Sequence, residues 1–405
     1  AMTRHLLKLV WNRRRHHLLV GLEILSSFLI VFVVAVLAVK TLGNAARPAG
    51  FASDDVTVVE VGLRKRGGGP VADDGADRER MRRALETVRR LEGVEAAAAA
   101  FLVPYGTGRA VNSHTVNGRT IEYDYSDVTD DYLAAMRLKL TAGRWFSRED
   151  DGRPYRPVVV TRELAREAFG EEDPLGKDIP EGGVEPGTTR RPSRVVGVLE
   201  AYRPGSDYAA PAPFALFRAD LANPTDDVPS RIVVRLRPGT PRAFEETLVR
   251  TLEAAVPEWS LTAEPLAVAR EAANRRWTVP ILAATLVAGF LMLLVALGLT
   301  GVLWQNVTRR TREIGLRRAT GATARQVAVQ VVMEVWIVTA LAVLAGCAVA
   351  LQAPLLVPGG FVRAADAAAG ASAAALLLFA LTGLCALYPA WLAARVFPSE
   401  ALRYE

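Results

Sequence analysis

Few side chains of this 405-residue sequence stand at spacings that support catalysis or metal binding. The four histidines are His5, His16 and His17, in a basic N-terminal segment, and His114, which stands alone. No Cys/His cluster has the spacing of a zinc site, and no serine lies in a G-x-S-x-G turn. We therefore predict no catalytic, metal-binding or cofactor-binding residue in the chain, and no enzymatic activity of its own.

The nearest approach to a phosphate-binding loop is GEEDPLGKD, residues 170–178. It has one residue too many between its glycines to match G-x-x-x-x-G-K-[ST]. Asp178 stands where a hydroxyl should ligate magnesium, and the three acids inside the stretch would repel phosphate. The sequence therefore argues against a nucleotide site here.

Polar residues interrupt two otherwise apolar segments. Glu23, Ser26 and Ser27 are spaced i, i+3, i+4, so a helix places them on one face. Glu334 falls about 12 Å into a later apolar segment, by the helical rise. A proton or substrate path is one interpretation. We favour a helix-packing face for the first group and an interhelix hydrogen bond for Glu334, because polar groups inside a membrane are costly without partners.

Arginines are concentrated between two apolar segments. Residues 304–330, WQNVTRRTREIGLRRATGATARQVAVQ, hold six arginines and a single acid, Glu313. Such an excess marks a cytoplasmic loop, because cationic residues are retained on the inner side of the membrane. Gly321 is expected to end a short helix, and Thr323 with Gln326 forms a T-x-x-Q capping box for the next one. We predict a stiff polar helix on the membrane surface; a basic loop that serves only topology and lipid phosphates is the alternative.

Stretches of membrane length must position these residues, since about 20 apolar residues span a bilayer. We predict an α-helical membrane protein with four transmembrane helices, at residues 18–42, 278–304, 326–353 and 371–394. Residues 305–325 form a cytoplasmic loop, and residues 354–370 form a short outer loop.

The net charge of +6 is unevenly divided. Residues 43–277 carry 34 basic and 37 acidic side chains, whereas the rest of the chain carries 15 and 6. The surplus flanks the membrane segments and indicates topology rather than nucleic-acid binding. Residues 1–17 predict a cytoplasmic amphipathic helix, with Trp11 at headgroup depth, and residues 395–405 a cytoplasmic tail.

Residues 43–277 alternate strand and helix patterns and predict a large α+β exoplasmic domain of two lobes, inserted between the first and second spans. Helices are predicted at residues 77–91, 162–169 and 243–255. Strands are predicted at residues 56–61, 94–103, 110–117, 120–125, 158–160, 194–199 and 231–236. The two Gly- and Pro-rich stretches, residues 180–192 and 202–213, are expected to be mobile loops that can contact partners.

Three parts of the chain, in order, resemble the MacB/FtsX-type ABC transporter permeases. LTAGRWFSREDD (residues 140–151), VVVTRELAREAFGEEDPLGKDI (158–179) and the following strand RVVGVLE resemble the MacB-type periplasmic core domain. TRRTREIGLRRATGATARQV (308–327) resembles the family's signature loop, and YPAWLAARVFPSEALRYE (388–405) its closing segment. The resemblance covers essentially the whole chain.

The family's permeases dimerise, and each pair docks two ATP-binding subunits. The resemblance implies that residues 309–322 rest on the ATPase as a coupling helix. The implied contact residues are Arg309, Arg310, Arg312, Glu313, Ile314, Gly315, Arg317, Arg318, Gly321 and Ala322. Glu313, Arg317 and Arg318 would make polar contacts, and Gly315 and Gly321 would allow close approach.

The chain differs from fused family members because its sequence has no nucleotide-binding domain, so the resemblance implies a separate ATPase that holds ATP and magnesium. Closure of the ATPases would move the outer domains, a mode called mechanotransmission. This motion would drive export or extraction of a lipoprotein, lipid or small molecule from a bacterial inner membrane, with a periplasmic adaptor, lipoprotein carrier or outer-membrane channel. An FtsX-like module that regulates a periplasmic hydrolase or sensor is the alternative. The second permease can be the same chain or a paralogue.

Overall fold

A computed structural model of the chain describes residues 14–63, 75–116, 119–179, 191–224, 226–241, 243–356 and 362–395. Residues 1–13 of the predicted N-terminal amphipathic helix, the closing segment beyond residue 395 and most of the loop at 180–192 lie outside the described residues. The chain divides into two compact units. Residues 44–277 are called the sheet unit here, and residues up to 43 together with those from 278 onward are called the membrane unit.

The helices, in chain order, are α1 Arg14–Ala45, α2 Ala76–Arg89, α3 Tyr132–Met136, α4 Arg162–Phe169, α5 Phe244–Ala255, α6 Leu266–Arg309, α7 Thr311–Ala319, α8 Ala324–Ala350, α9 Ala353–Leu356 and α10 Ala364–Ala394. The strands are β1 Val56–Leu63, β2 Val94–Ala100, β3 Val111–Val116, β4 Arg119–Val128, β5 Leu140–Gly143, β6 Arg156–Thr161, β7 Asp178–Ile179, β8 Ser193–Leu199, β9 Phe214–Arg218, β10 Arg231–Leu236 and β11 Trp259–Pro265.

Four helical segments of the described chain are long and apolar enough to cross a membrane, which confirms the predicted fold class. All four helices begin earlier than predicted, two of them by only a few residues, at Arg14 and Ala324. Helix α6 starts at Leu266 rather than at residue 278, because its first turns place Leu266 and Ala273 against the core of the sheet unit, where both are buried. Helix α10 starts at Ala364 rather than at residue 371, because the sequence AADAAAG consists largely of alanine, the strongest helix former.

Glycines let α1 approach its neighbours closely in the membrane unit. A Cβ added at Gly346 of α8 would lie 2.3 Å from Phe28, and one added at Gly370 of α10 would lie 2.4 Å from Val36. Phe28 and Val36 are buried in the same apolar cluster. Small residues at helix contacts favour tight packing in a bilayer, so these two positions fix α1 between α8 and α10.

One sheet runs through the sheet unit, in the order β11-β1-β10-β2-β4-β9-β6-β8-β5, with β3 on β4 and β7 on β8. The first half, β11 to β2, is antiparallel, and the second half contains the parallel pairs β4–β9 and β6–β8. A single residue pair, Ala100 with Val128, joins the two halves. The two predicted lobes therefore correspond to two halves of one sheet.

Each half of the sheet has its own helical cover. Helices α2 and α5 bury Met81, Leu85, Leu248 and Leu252 against the first half. Helix α4 buries Leu164 with residues of the second half. A third apolar cluster, which contains Val233 of β10 and Phe214 of β9, includes side chains from both halves. Side-chain packing therefore joins the halves where backbone pairing is sparse.

Three strands of more than two residues, β5, β9 and β11, are not predicted from the sequence. Strand β9, FALFR, is buried at all five positions, so it has no alternation of apolar and polar residues to detect. Strand β5 has only four residues. Strand β11 does alternate between more buried and exposed positions, and it pairs with β1 from Thr57 to Leu63. Predicted strand 94–103 is shorter than expected and ends at Ala100.

Candidate coupling site

The coupling segment is defined here as residues 309–322. Within this range Arg309 completes α6, and the predicted short helix is α7, Thr311–Ala319, which ends two residues before Gly321. Arg310 separates the two helices because its backbone leaves helical geometry, with φ −104° and ψ 10°. The segment is therefore a short independent helix after a break of one residue.

One face of α7 lies against the rest of the membrane unit. Ile314 and Gly315 are buried, and Thr311 and Arg318, in register with them at i, i+3, i+4, i+7, are half-buried. Ile314 packs in one apolar cluster with Val307, Val327 and Ala393. Ile314 and Gly315 therefore position α7 and offer no surface to another molecule.

A chain of polar side chains holds α7 and the preceding Arg310 to α8. Arg310 Nη1 donates to Glu334 at 3.0 Å, and Gln330 Nε2 donates to the same carboxylate at 3.1 Å. Arg317 Nη1 donates to Gln330 Oε1 at 2.9 Å, and Arg317 Nη2 donates to Glu313 at 2.6 Å. The interhelix hydrogen bond expected for Glu334 is present. These five residues are called the polar chain below, and a cavity of about 70 Å³ lies beside them.

Arg318 is also engaged within the chain. Its Nη1 donates to the carbonyl oxygen of Ala394, at the end of α10, at 3.0 Å. Arg317 and Arg318, for which the sequence suggested contact with an ATPase, both hydrogen-bond inside the membrane unit. Their geometry suits them to hold α7 against α8 and α10.

The opposite face of α7 is exposed. Arg312, Leu316 and Ala319 follow one another at i, i+4, i+7, and Leu316 is 59% exposed. Arg309 is exposed at the end of α6. The sequence analysis did not single out Leu316, although its spacing from Arg312 places both on one helical face. Arginine is enriched at protein interfaces, so the exposed face with Arg309 and Arg312 beside Leu316 is a candidate contact surface.

The glycine that ends the short helix and the capping box that begins the next one are both confirmed. Gly321 has φ +103°, a left-handed conformation that glycine adopts without strain. Thr323 Oγ1 accepts from the Gln326 backbone, and Gln326 Oε1 accepts from the Thr323 backbone, so the capping box is complete. Ala322, between them, is half-buried. The turn therefore sets where α8 begins relative to α7.

The polar group of α1 is separate from the polar chain. Ser26 and Ser27 each donate to the carbonyl oxygen of Glu23 on their own helix, at 3.0 and 2.8 Å. The Glu23 carboxylate lies against Gly298 of α6, where an added Cβ would come within 2.9 Å of it. The structure therefore brings Glu334 to the coupling segment and places Glu23 at a contact with α6, with Ser27 buried and Ser26 exposed.

A second cluster, which the sequence analysis missed, surrounds Asp207 in the sheet unit. The Asp207 carboxylate accepts hydrogen bonds from Tyr105 at 2.8 Å, Arg270 at 2.8 Å and Asn274 at 2.7 Å. Burial alone would raise the pKa of Asp207, but these three hydrogen bonds outweigh it and hold the pKa below its usual value. The cluster fixes the first turns of α6 to the loop that follows β8.

Arg203, in the same loop, holds the stretch that follows α1. Its guanidinium is buried and donates to the carbonyl oxygens of Asn44, Arg47, Pro48, Asp207 and Ala209. Burial lowers the pKa of Arg203. One loop, residues 203–209, thus grips both the stretch after α1 and the start of α6. The sequence does not predict the contacts of Arg203, because its acceptors are backbone carbonyl oxygens.

The motif LTAGRWFSREDD supports the fold. Arg144 donates to both oxygens of the buried Asp150 carboxylate, at 2.7 and 2.5 Å. Trp145 Nε1 donates to the Asp130 carbonyl oxygen at 2.7 Å, and Arg218 pairs with the Asp130 carboxylate. These contacts tie the stretch after β5 to β9.

Across the described ranges, no three His, Cys, Asp or Glu side chains are grouped so that they could hold a metal ion.

Comparisons with known proteins match both units. Residues 28–250 match the family described as "MacB-like periplasmic core domain", and residues 285–398 match "FtsX-like permease C-terminal". The macrolide export ATP-binding/permease protein MacB of Bdellovibrio bacteriovorus is 25% identical over 418 residues, which cover 95% of this chain and 59% of that protein. The uncharacterized ABC transporter permease YvrN of Bacillus subtilis is 25% identical over 302 residues, 69% of each chain.

A third relative, the pyoverdine export ATP-binding/permease protein PvdT of Pseudomonas entomophila, is 28% identical over 286 residues, which cover 68% of this chain and 42% of PvdT. Among solved structures, the periplasmic region of MacB from Actinobacillus actinomycetemcomitans aligns with a TM-score of 0.39 and 14% identity, over 54% of this chain and 92% of that one. The extracellular domain of YknZ from Gram-positive bacteria aligns with a TM-score of 0.34 and 15% identity, over 51% and 99%. The chain thus spans about 59% of the length of the Bdellovibrio relative and 42% of the Pseudomonas one.

Proposed function

This chain belongs to the MacB/FtsX-like family of ABC transporter permeases, a membrane protein with an extracellular domain, and on that premise we propose that its coupling segment docks a separate ATPase subunit. ATP and magnesium are held by that subunit, and the permease itself catalyses no reaction. Two ATPase subunits serve a pair of permeases in the inner membrane of a bacterium, with both termini of this chain in the cytoplasm.

The observation that carries the proposal is the two-sided character of α7. Ile314 and Gly315 fix one face to the membrane unit, while Arg312 and Leu316 are exposed on the other. A partner that pushes on the exposed face acts on a helix already fixed through Arg310 and Arg317 to α8. Force applied to α7 therefore reaches the membrane helices with little loss in a flexible loop.

The separate ATPase is supported by the relatives. YvrN, of which the chain covers 69%, is named as a permease alone, whereas MacB and PvdT are named as ATP-binding/permease proteins.

We propose that motion of the sheet unit, driven by the ATPase, exports or extracts a lipoprotein, lipid or small molecule. A periplasmic adaptor, a lipoprotein carrier or an outer-membrane channel completes the route.

The test is copurification of the ATPase with the tagged full-length chain from membranes of its own host. The double variant Arg312→Glu/Leu316→Asp reverses one charge and makes one apolar side chain acidic on the exposed face of α7. It should lower the ATPase recovered per permease at least about tenfold, because a few side chains carry most of the binding energy of an interface. Mass spectrometry of the eluate identifies and quantifies the ATPase.

Arg237→Glu is the matched control, since Arg237 is an exposed arginine of the sheet unit. It should leave ATPase recovery and membrane insertion unchanged. Full ATPase recovery with Arg312→Glu/Leu316→Asp would remove the coupling segment from the interface. Failure of any ATPase to copurify with the wild-type chain would contradict the proposed complex.

A further inference from the structure

The sheet unit contains a cavity of about 470 Å³ that none of the motifs accounts for. Two loops, residues 102–110 and 202–214, line it together with the first turns of α6. Its apolar lining includes Leu102, Phe214 and Trp277. The volume lies within the ~300–1,000 Å³ of sites that bind small molecules.

Small residues keep the cavity open. Gly106, Gly108, Gly205, Ala209 and Ala210 all contribute to its wall. A Cβ added at Gly108 would already come within 3.0 Å of the Leu102 side chain, so a larger residue there would close part of the space. One of the two stretches predicted to contact partners, residues 202–213, thus forms part of the cavity wall.

Only one of the two arginines at the cavity has its charge balanced. Arg109 donates to both oxygens of Asp124, at 3.1 Å each. Arg276 is exposed and donates to the carbonyl oxygen of Tyr105 at 3.2 Å; within the described ranges no carboxylate pairs with it. The adjacent Arg275 pairs with Glu271 instead. Arg276 is therefore the cation available to an anionic ligand.

The position of Trp277 indicates where such a ligand comes from. Trp277 lines the cavity, is 38% exposed and directly precedes the apolar segment that begins at Thr278. Tryptophan at the end of a membrane span is typical of the interface between lipid and water. The chain therefore passes directly from the cavity wall into an apolar segment of membrane length, which favours a ligand with an apolar body.

We propose that the cavity binds a long-chain fatty carboxylate drawn from the outer leaflet, with its chain among the apolar walls and its carboxylate on Arg276. A guanidinium offers paired donors that match the two carboxylate oxygens. The assignment rests on the function proposed above and deepens it, because it names a substrate class for the same permease.

Binding is tested with the full-length chain in phosphatidylcholine nanodiscs and a palmitic acid that carries a photoreactive diazirine in its chain. Irradiation should label peptides from residues 102–110 and 202–214 saturably, and unlabelled palmitate should compete. Hexadecyltrimethylammonium, which has a similar chain and the opposite charge, should not compete. Equal competition by the two amphiphiles, or labelling confined to the membrane helices, would overturn the proposal.

Matched variants separate charge from space. Arg276→Gln should weaken palmitate binding about tenfold, whereas Arg275→Gln should not change it. Ala210→Trp places a large side chain at an exposed wall position and should abolish labelling, whereas Ala254→Trp, at an exposed position of α5 away from the cavity, should not. Unchanged binding in Arg276→Gln would overturn the assignment even if Ala210→Trp failed to fold.

The labelling needs no ATPase, so its outcome is independent of the copurification experiment. Normal labelling of a chain that recovers no ATPase would leave the ligand site in place and contradict the coupling proposal. Absent labelling of a chain that copurifies with its ATPase would do the reverse.

Discussion

Two arginines of the sheet unit are buried with backbone carbonyls as their hydrogen-bond acceptors. Arg235 donates to Ala52, Asp54 and Ala135, while Arg203 donates to five other carbonyl oxygens. Both therefore hold residues 44–54, which comprise the last residues of α1 and the stretch after it. A guanidinium suits this role because its five donors point outward in a fixed plane.

Arg203→Met should destabilise the sheet unit by about 3 kcal/mol, because several buried carbonyl groups lose their donor together. Hydrogen exchange of the full-length chain should show faster exchange in peptides that cover residues 44–54. Arg237→Met removes an exposed arginine of the same unit and should leave exchange unchanged. Unaltered exchange in Arg203→Met would show that this stretch is held by other contacts.

The Asp207 cluster predicts a dependence of stability on pH. Because its folded pKa is depressed, the Asp207 carboxylate stabilises the sheet unit fully above its unfolded pKa of about 4 and loses that contribution as the pH falls through the folded value. Asp207→Asn should therefore lower the thermal midpoint at pH 7, and the difference from wild type should shrink near pH 3.

The control for this measurement is Glu258→Gln, at an exposed carboxyl of the same unit. Its midpoint should follow wild type at both pH values. A difference between Asp207→Asn and wild type that persists undiminished at low pH would show that the carboxylate charge is not what stabilises the cluster.

At the residue scale, the sequence predicts a partner for Glu334 but does not identify it. An acid inside a span requires a donor, which is a local argument. Arg310 becomes that donor because a one-residue break between α6 and α7 turns it toward α8, and no periodicity reveals such a break. Arg203 and Asp207 escape detection because their partners are distant in sequence.

At the scale of elements, the ion pair between Arg310 and Glu334 should determine how firmly α7 is held. Both side chains are largely buried, 17% and 21% exposed, so the pair is screened less than a surface pair. Glu334→Ala should free the end of α7 near Arg310 and release Gln330. A spin label at Leu316→Cys, in a background with both native cysteines replaced by alanine, should then become more mobile.

Met333→Ala, at the neighbouring exposed position of α8, is the matched control and should leave the label's mobility unchanged. ATPase recovery is a second readout. We expect Glu334→Ala to retain the ATPase, since the exposed face of α7 is intact, while ATP hydrolysis and transport lose their coupling. Equal label mobility in Glu334→Ala and wild type would show that the contacts of Ile314, Arg317 and Arg318 hold the helix without the ion pair.

Element types follow from the sequence more reliably than element ends. Hydropathy and length identify the four spans, and the capping box locates the start of α8 within a residue or two. The start of α6 does not follow, because Leu266 and Ala273 become a buried face only when the sheet is present. Strand β9 is missed because burial on both faces removes its alternation.

At the scale of the whole molecule, α6 is the membrane helix least covered by its described neighbours. Leu282, Leu286, Phe290, Leu293 and Leu297 are each more than half exposed. They follow one another at intervals of three or four residues, so they form one apolar face. This face is available to lipid or to the second permease of the proposed pair.

A cysteine at this face tests the pairing. With Cys347 and Cys385 replaced by alanine, Leu286→Cys should form an oxidised dimer in membranes if the second permease is another copy of this chain. Thr285→Cys, at an exposed position next to it on a different part of the helix, should cross-link less. Absence of a dimer while a different permease copurifies would identify a heterodimer.

The joint between the two halves of the sheet has a mechanical consequence. Among the described residues, one strand bridge, Ala100 with Val128, lies there beside hydrogen bonds of the Ser126 and Thr129 hydroxyls, while an apolar cluster spans both halves. Hydrogen bonds between strands depend on the register of the two strands, whereas apolar contacts are non-directional and tolerate small displacements. A force on the sheet unit should therefore first displace the two halves of the sheet along this joint. Each half should keep its own strand pairing and move as a rigid body.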